Sequence, residues 1–262
     1  MKKILIVGNW KMNLNVQQAS LLVHKLNQLI AVHRDVEVVL TPSFLTLQPV
    51  SQEIDHRKFR LAAQDGYPID EGGYTGAVSF SMLQGLVQYA LIGHSERRIH
   101  FNESLELIRD KVQAAVRNGI VPVLCVGETM QERLEGQTRL VIHDQITTAL
   151  SNLTDDEVAK VVIAYEPIWA IKSFGGTKPA TPEDIQKAVS WIRSVVTDLY
   201  GAKTAQAIRV IYGASVEPDF VAGILNIEGV DGLLPGSASL NYHEFSKIVE
   251  KAHAVNLEQK RG

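Results

Sequence analysis

The chain has 262 residues, of which 45% are hydrophobic and 21% charged, and its formal net charge is -3. These are the proportions of a globular protein with a full apolar core, and the charge balance favours no nucleic-acid partner. No apolar run is long enough to span a membrane, and the first one, ILIVG at 4–8, is too short for a secretory signal. The single cysteine, Cys125, excludes a disulfide within the chain. We therefore expect a cytoplasmic protein.

Short runs rich in Val, Ile and Leu recur along the chain. In order, they are KILIVG (3–8), VEVVL (36–40), FRLAAQ (59–64), YALIG (89–93), VPVLCVG (121–127), VVIAYE (161–166), IRVIYG (208–213) and VDGLLPG (230–236). Several are apolar on both faces, which is typical of strands in a buried parallel sheet. Segments with helical periodicity lie between them, notably at 16–32, 103–119 and 181–201, the last ending on a glycine.

Eight βα repeats of this size predict a single α/β domain over 1–262, a (β/α)₈ barrel. The alternative is an open, doubly wound sheet, which usually carries a GxGxxG turn after its first strand. Here the first strand continues into GNWKMN, which argues against that motif. In a barrel, active groups gather at the carboxyl ends of the strands, where eight loops converge.

Polar side chains follow three of the predicted strands. Asn9 and Lys11 follow the first strand, His94 and Glu96 the fourth, and Glu166 the sixth. Burial among apolar neighbours would raise the pKa of the Glu166 carboxyl and make it a better base. His94 precedes a helix start, which favours a neutral, hydrogen-bond-donating imidazole. Lys11 offers a fixed cation.

Glycine-rich turns follow the seventh and eighth predicted strands, at 212–215 and 236–238, and offer backbone N–H groups for an anion. A base, a neutral donor, a cation and an anion cradle indicate proton abstraction beside a carbonyl, on a small phosphorylated substrate. Each of these residues alone would not indicate a function. The prediction depends on their lying together at one rim of the barrel. The histidines show no HxxxH spacing, so no metal site is expected. Cys125 could be a nucleophile, but a small buried hydrophobe is favoured.

Separate motifs along the chain resemble the triosephosphate isomerase family. They are GNWKMN (8–13), AAQ (62–64), GYTG (73–76), IGHSERR (92–98), CVGET (125–129), AYEPIWAI (164–171), YGASV (212–216) and GSASL (236–240). The resemblance covers essentially the whole length. It implies an isomerase of glycolysis and gluconeogenesis that interconverts dihydroxyacetone phosphate and glyceraldehyde 3-phosphate through an enediolate, without a cofactor.

The resemblance also implies residue roles. Glu166 would be the base, His94 the neutral electrophile and Lys11 the cation, with Asn9 as a supporting donor. The remaining implied residues are those that bind phosphate and those that support the site: Gly175, Ser215, Gly236 and Ser237 for phosphate, and Glu96, Ile171 and Leu234 in support.

The phosphate-binding loops depart from the family pattern. The lid reads AIKSFGGTKPATP where the family has AIGTGKTATP, so it is longer by residues 172–174. Ala214 replaces a glycine, and Pro235 and Ser237 replace a valine and a glycine. Lys172 could add a cation near the phosphate or remain solvated. These departures leave two alternatives: an isomerase of a related sugar phosphate, such as a tetrulose phosphate, or a barrel that binds a phosphorylated metabolite without turnover.

The family's dimer loop corresponds to residues 65–79, with Thr75 at its tip. Its glycines suit a tight protruding turn. The resemblance implies that this loop inserts beside the partner's active site in a C2 homodimer, the commonest oligomer symmetry. The alternative is a mobile surface loop on a monomer.

Overall fold

A closed barrel of eight parallel strands forms the centre of the computed structural model, which describes residues 2–260. The strands are β1 Ile4–Asn9, β2 Val36–Thr41, β3 Phe59–Ala63, β4 Tyr89–Ile92, β5 Val121–Val126, β6 Val162–Tyr165, β7 Arg209–Ala214 and β8 Gly232–Pro235. Each pairs with the next along the chain, and β8 returns to β1. The predicted barrel is confirmed, with strand ends within two residues of the predicted ones.

The strands are buried on both faces, as their apolar runs predict. One set of side chains fills the barrel interior; it includes Leu5, Val39, Leu91, Cys125 and Leu234. The other set points outward into a larger core beneath the helices. Burial raises the pKa of the Cys125 thiol well above its ordinary value, so the cysteine is a packing residue and not a reactive thiolate.

Helices surround the barrel. They are α1 Val16–Leu29, α2 Phe44–Glu53, α3 Phe80–Leu83, α4 Ser95–His100, α5 Leu105–Arg117, α6 Met130–Leu134, α7 Thr138–Leu150, α8 Asp155–Val158, α9 Pro182–Ala207, α10 Val221–Leu225 and α11 Tyr242–Gln259. Helix α9 begins with a capping box between Thr181 and Asp184 and with Pro182 in its first turn, as its sequence predicts. Within residues 2–260, no helix combines the length and apolarity needed to cross a bilayer.

The predicted end of the 181–201 helix is only partly correct. Gly201 does leave the helical conformation, with φ of 82°, which glycine adopts without steric cost. The chain then resumes a helix and continues to Ala207. Packing of this extra turn, in which Thr204 and Ala205 are buried, decides where the segment ends.

Short 3₁₀ turns occupy the loops that leave the carboxyl ends of β6, β7 and β8. They are Ile168–Ala170, Lys172–Phe174, Pro218–Phe220 and Ser237–Leu240. Since all parallel strands end on the same side of the barrel, these turns form one rim together with the residues that follow β1 and β4. The candidate catalytic residues lie on this rim.

Candidate active site

Glu166 directly follows β6 and is only 3% exposed. Its backbone N–H donates to the carbonyl of Val126 at 2.7 Å. A Cβ on Gly127 would lie 2.0 Å from the Glu166 carbonyl oxygen, so only glycine fits there. These contacts between the ends of β5 and β6 fix the backbone of Glu166, and its carboxylate Oε1 lies 3.2 Å from Nε2 of His94.

The hydrogen bonds of His94 assign its protonation state. His94 caps α4, and its Nδ1 accepts from the backbone N–H of Glu96 at 3.2 Å. An acceptor Nδ1 carries no proton, so the ring is neutral and its proton is on Nε2. Nε2–H then faces the Glu166 carboxylate. The neutral donor expected from the helix start is therefore supported by the local hydrogen bonding.

The pKa of Glu166 reflects opposing influences. Burial raises the pKa of the carboxyl, whereas the hydrogen bond from His94 and the positive charges of Arg98 and Lys11 lower it, and the pKa lies below its ordinary value. The expectation that burial alone would raise the pKa is therefore corrected. The carboxylate is ionised at neutral pH, and among residues 2–260 its Oε2 has no hydrogen-bond donor. Sequence patterns gave no indication that Arg98 acts on this group.

Lys11 follows β1 in a constrained backbone conformation. Its φ of 53° is unusual for a residue other than glycine. Its N–H donates to Asn9 Oδ1 at 3.0 Å and its carbonyl accepts from Gln64 at 2.8 Å. The ammonium contacts Glu96 Oε1 at 2.6 Å. Gln64 ends the AAQ motif but was not identified as a supporting residue, because its role depends on a contact with the loop after β1.

A cavity of about 990 Å³ opens at this rim. The predicted residues in its wall are Asn9, Lys11, Glu96, Ile171, Ser215, Gly236 and Ser237. Leu234 is buried below the rim. A Cβ placed on Gly213 would lie 3.1 Å from both Glu166 Cγ and Leu234 Cδ2. The bare backbone of Gly213 is therefore what leaves room for the Glu166 side chain, a role that the sequence did not indicate.

Gly175, which the resemblance implies as a phosphate donor, is engaged within the lid in this structure. Its N–H donates to the carbonyl of Lys172 at 3.1 Å, because residues 172–174 form a 3₁₀ turn that Gly175 closes with φ of 81°. Of the described residues, Lys172 and Ser173 line the cavity and Gly175 does not. In this conformation Gly175 therefore lies outside the cavity wall, and its role in phosphate binding stays a prediction.

The longer lid contacts three parts of the rim. Ser173 Oγ donates to Glu96 Oε1 at 3.1 Å, so the lid reaches the partner of Lys11. Lys172 pairs with Glu217 in the loop after β7 at 2.7 Å, so its positive charge in the cavity wall is matched by a carboxylate there. The ring of Phe174 stacks on His100, with centroids 5.7 Å apart. In this structure the lid therefore lies over the rim.

Glu128 anchors the first hinge of the lid. Its carboxylate is fully buried and accepts from Trp169 Nε1 at 2.8 Å and from the Tyr165 hydroxyl at 3.2 Å. The guanidinium of Arg133 covers the Trp169 ring at 4.1 Å. The structure therefore gives Glu128 a positioning role for Trp169.

The predicted dimer loop is anchored at its base and exposed at its tip. Asp65 pairs with Lys111 at 2.7 Å and with Arg97 at 3.0 Å. Residues 71–77, including Thr75, are exposed. The loop is therefore a protrusion with an anchored base.

Comparisons with known proteins agree with this geometry. The sequence profile described as triosephosphate isomerase matches residues 4–252. A triosephosphate isomerase of Caldanaerobacter subterraneus subsp. tengcongensis is 40% identical over 250 residues, which cover 95% of this chain and 99% of the relative. One from Chloroherpeton thalassium is 39% identical over 254 residues, which cover 96% of this chain and 100% of the relative. One from Clostridium beijerinckii is 38% identical over 250 residues, which cover 95% of this chain and 99% of the relative.

Proposed function

The chain belongs to the triosephosphate isomerase family, and from this we propose that it interconverts dihydroxyacetone phosphate and glyceraldehyde 3-phosphate with Glu166, His94 and Lys11 as its catalytic groups. The observation that supports these roles is the contact of a buried carboxylate with a neutral imidazole at 3.2 Å. A carboxylate that is ionised and shielded from water is a strong acceptor for a proton on carbon.

In the proposed mechanism, Glu166 removes a proton from the carbon beside the substrate carbonyl. The electron pair of that C–H bond forms the enediolate double bond, and negative charge develops on the carbonyl oxygen. Nε2–H of His94 gives its proton to the former carbonyl oxygen and takes up the proton of the adjacent hydroxyl, so the negative charge moves to the other oxygen. The Glu166 carboxylic acid then returns its proton to the former carbonyl carbon; the electron pair of the double bond forms this C–H bond, and the other oxygen becomes the new carbonyl. One carboxylate suffices for both steps, because its pKa keeps it ionised between turnovers.

His94 and Lys11 stabilise the developing negative charge. The Nε2–H of His94 now meets Glu166, and it donates to the substrate oxygen once the substrate separates the two groups. Lys11 adds a positive charge whose position is fixed by Glu96. Preorganised donors of this kind need no rearrangement as charge develops, which makes them effective catalysts.

The phosphate is bound by backbone N–H groups around the cavity. Ser215, Gly236 and Ser237 supply the turns after β7 and β8, where Ser237 begins a 3₁₀ turn. On the lid side, Lys172 and Ser173 line the cavity, and Gly175 remains the predicted backbone donor to the phosphate. Closure of the lid over Glu166 excludes water and protects the enediolate.

A coupled assay tests the activity. Glyceraldehyde 3-phosphate is supplied, and dihydroxyacetone phosphate is detected by a dehydrogenase that oxidises NADH. We expect turnover far above that of Glu166→Gln prepared in parallel, and far above the rate with a four-carbon ketose phosphate. If the triose phosphates turn over no faster than with the Glu166→Gln control, the proposed function is wrong.

The assembly proposed is a homodimer in the cytoplasm, held through the 65–79 loop. The anchored base and exposed tip of this loop support it, and exposed apolar side chains such as Tyr74 and Met82 lie on or next to the loop. Sedimentation at micromolar concentration should give twice the mass of one chain. A mass of one chain would contradict the dimer and leave the chemistry of the barrel untouched.

A further inference from the structure

Three potential metal ligands meet far from the catalytic rim. They are His33 and Asp35, in the loop before β2, and His253, on α11; one ligand atom from each lies within 4.8 Å of the others. Nδ1 of His253 is 2.9 Å from both oxygens of Asp35. The rings of the two histidines lie 4.3 Å apart. Among residues 2–260 this is the one such group of three.

The surroundings hold these ligands in place and leave them accessible. The Asp35 side chain is 10% exposed, whereas that of His253 is 34% exposed. The Asp35 carbonyl accepts from the N–H of Ile4 at 3.0 Å, which ties the loop to the start of β1. Residues on the first strand, the loop before β2 and the last helix therefore position the group.

The donor set selects a class of metal. Two imidazole nitrogens and one carboxylate oxygen suit Zn²⁺ and Co²⁺ better than Mg²⁺ or Ca²⁺, which prefer oxygen ligands. Around zinc, bonds of roughly 2.0–2.2 Å place tetrahedral ligand atoms about 3.3 Å apart. The ligand atoms lie within 4.8 Å of one another, so they must approach by at most about 1.5 Å to reach that spacing.

We propose that His33, Asp35 and His253 form a binding site for a Zn²⁺-class divalent cation that clips the loop before β2 to α11. Asp35 precedes β2, whereas the catalytic residues follow their strands. A six-residue strand spans roughly 20 Å, so the site lies at the opposite end of the barrel. It is a structural site, and its occupancy is independent of the proposed isomerase chemistry.

Calorimetric titration of the EDTA-treated, dialysed protein with ZnCl₂ tests the proposal. We expect one bound ion per chain. His253→Ala should weaken binding by more than about 100-fold, because the loss of outer-shell partners alone typically costs 10- to 100-fold. Zinc at about 100 times its Kd should raise the Tm of the parent by roughly 5–10 °C, and should not raise that of His253→Ala.

Two further variants make the result decisive. Asp35→Asn keeps the shape and removes the anionic ligand, so it serves if His253→Ala is poorly folded. His143→Ala is the matched control, because His143 also contacts a carboxylate, Asp144, at 3.0 Å, but both are about half exposed and belong to no three-ligand group in the described chain. Equal binding by the parent and Asp35→Asn, or no binding by the parent at about 1 mM zinc, would overturn the proposal.

Discussion

Gly213→Ala tests whether the position of the Glu166 carboxylate limits catalysis. Gly213 lies in β7, and its φ is outside the left-handed region, so alanine is tolerated by the backbone. The added methyl would lie 3.1 Å from Glu166 Cγ and equally close to Leu234 Cδ2. Carbon atoms normally rest about 3.5–4.0 Å apart, so Glu166 must move by roughly half an ångström.

The expected loss follows from that displacement. Misplacing a reacting group by about 1 Å can cost roughly 100-fold in rate, so half that distance corresponds to about tenfold in kcat. KM should change little, because Gly213 is not in the wall of the cavity. Stability should hold, since replacing glycine by alanine where the backbone permits it contributes about 0.4–1 kcal/mol through the unfolded chain and offsets part of the contact strain.

Steady-state kinetics and thermal unfolding of the same preparation measure both quantities. Gly223→Ala is the matched control: a Cβ on Gly223, in α10, meets no atom within 4 Å, so its kcat should equal that of the parent. A Gly213→Ala enzyme with kcat within twofold of the parent would show that Glu166 tolerates the shift. A loss confined to KM, or a collapse of stability, would equally refute the reasoning.

The remaining predictions concern the base and its lid. Glu166→Gln should lower kcat by about 10²–10⁴-fold while glycerol 3-phosphate still binds; near-parental kcat would exclude Glu166 as the base. Because the pKa of Glu166 lies below its usual 4.5, kcat/KM calculated for the substrate dianion, whose phosphate titrates at about pH 6, should stay level down to about pH 5 and fall only as the carboxylate is protonated; an acid limb above about pH 6 in these corrected values would contradict this. Ser173→Ala removes one hydrogen bond to Glu96, so kcat/KM should fall roughly two- to tenfold, and deletion of Lys172–Phe174 should change kcat and KM modestly; complete loss of turnover on deletion would mean that the insertion is essential.

The barrel and the positions of its polar groups could be predicted from the sequence. Buried parallel strands read as continuous apolar runs, and eight of them separated by helical segments permit few other folds. Once the barrel is predicted, Asn9, Lys11, His94 and Glu166 must share a rim, because each follows the end of a strand. Motif resemblance then assigned their roles.

The local hydrogen bonds of the lid and of Glu166 could not be predicted from strand patterns or from motif resemblance. By its sequence, Gly175 aligns with a phosphate-binding glycine of the family. In the structure the three inserted residues form a 3₁₀ turn, and the N–H of Gly175 donates a hydrogen bond that closes this turn. The pKa of Glu166 likewise depends on the balance between burial and the charges around it. Burial follows from the apolar strand, whereas the positions of His94, Arg98 and Lys11 relative to the carboxylate do not.

The sequence by itself therefore determined which side chains meet at the end of each strand, since periodicity and chain order define a barrel rim. The tertiary structure alone decided contacts between distant segments that no local pattern records. Gly213 leaves space for Glu166 only because β7 packs beside β6. Asp35 meets His253 across 218 residues of sequence only because the last helix closes against the start of the barrel. Such contacts depend on distances of a few ångströms between segments, and those distances are set by packing of the whole core.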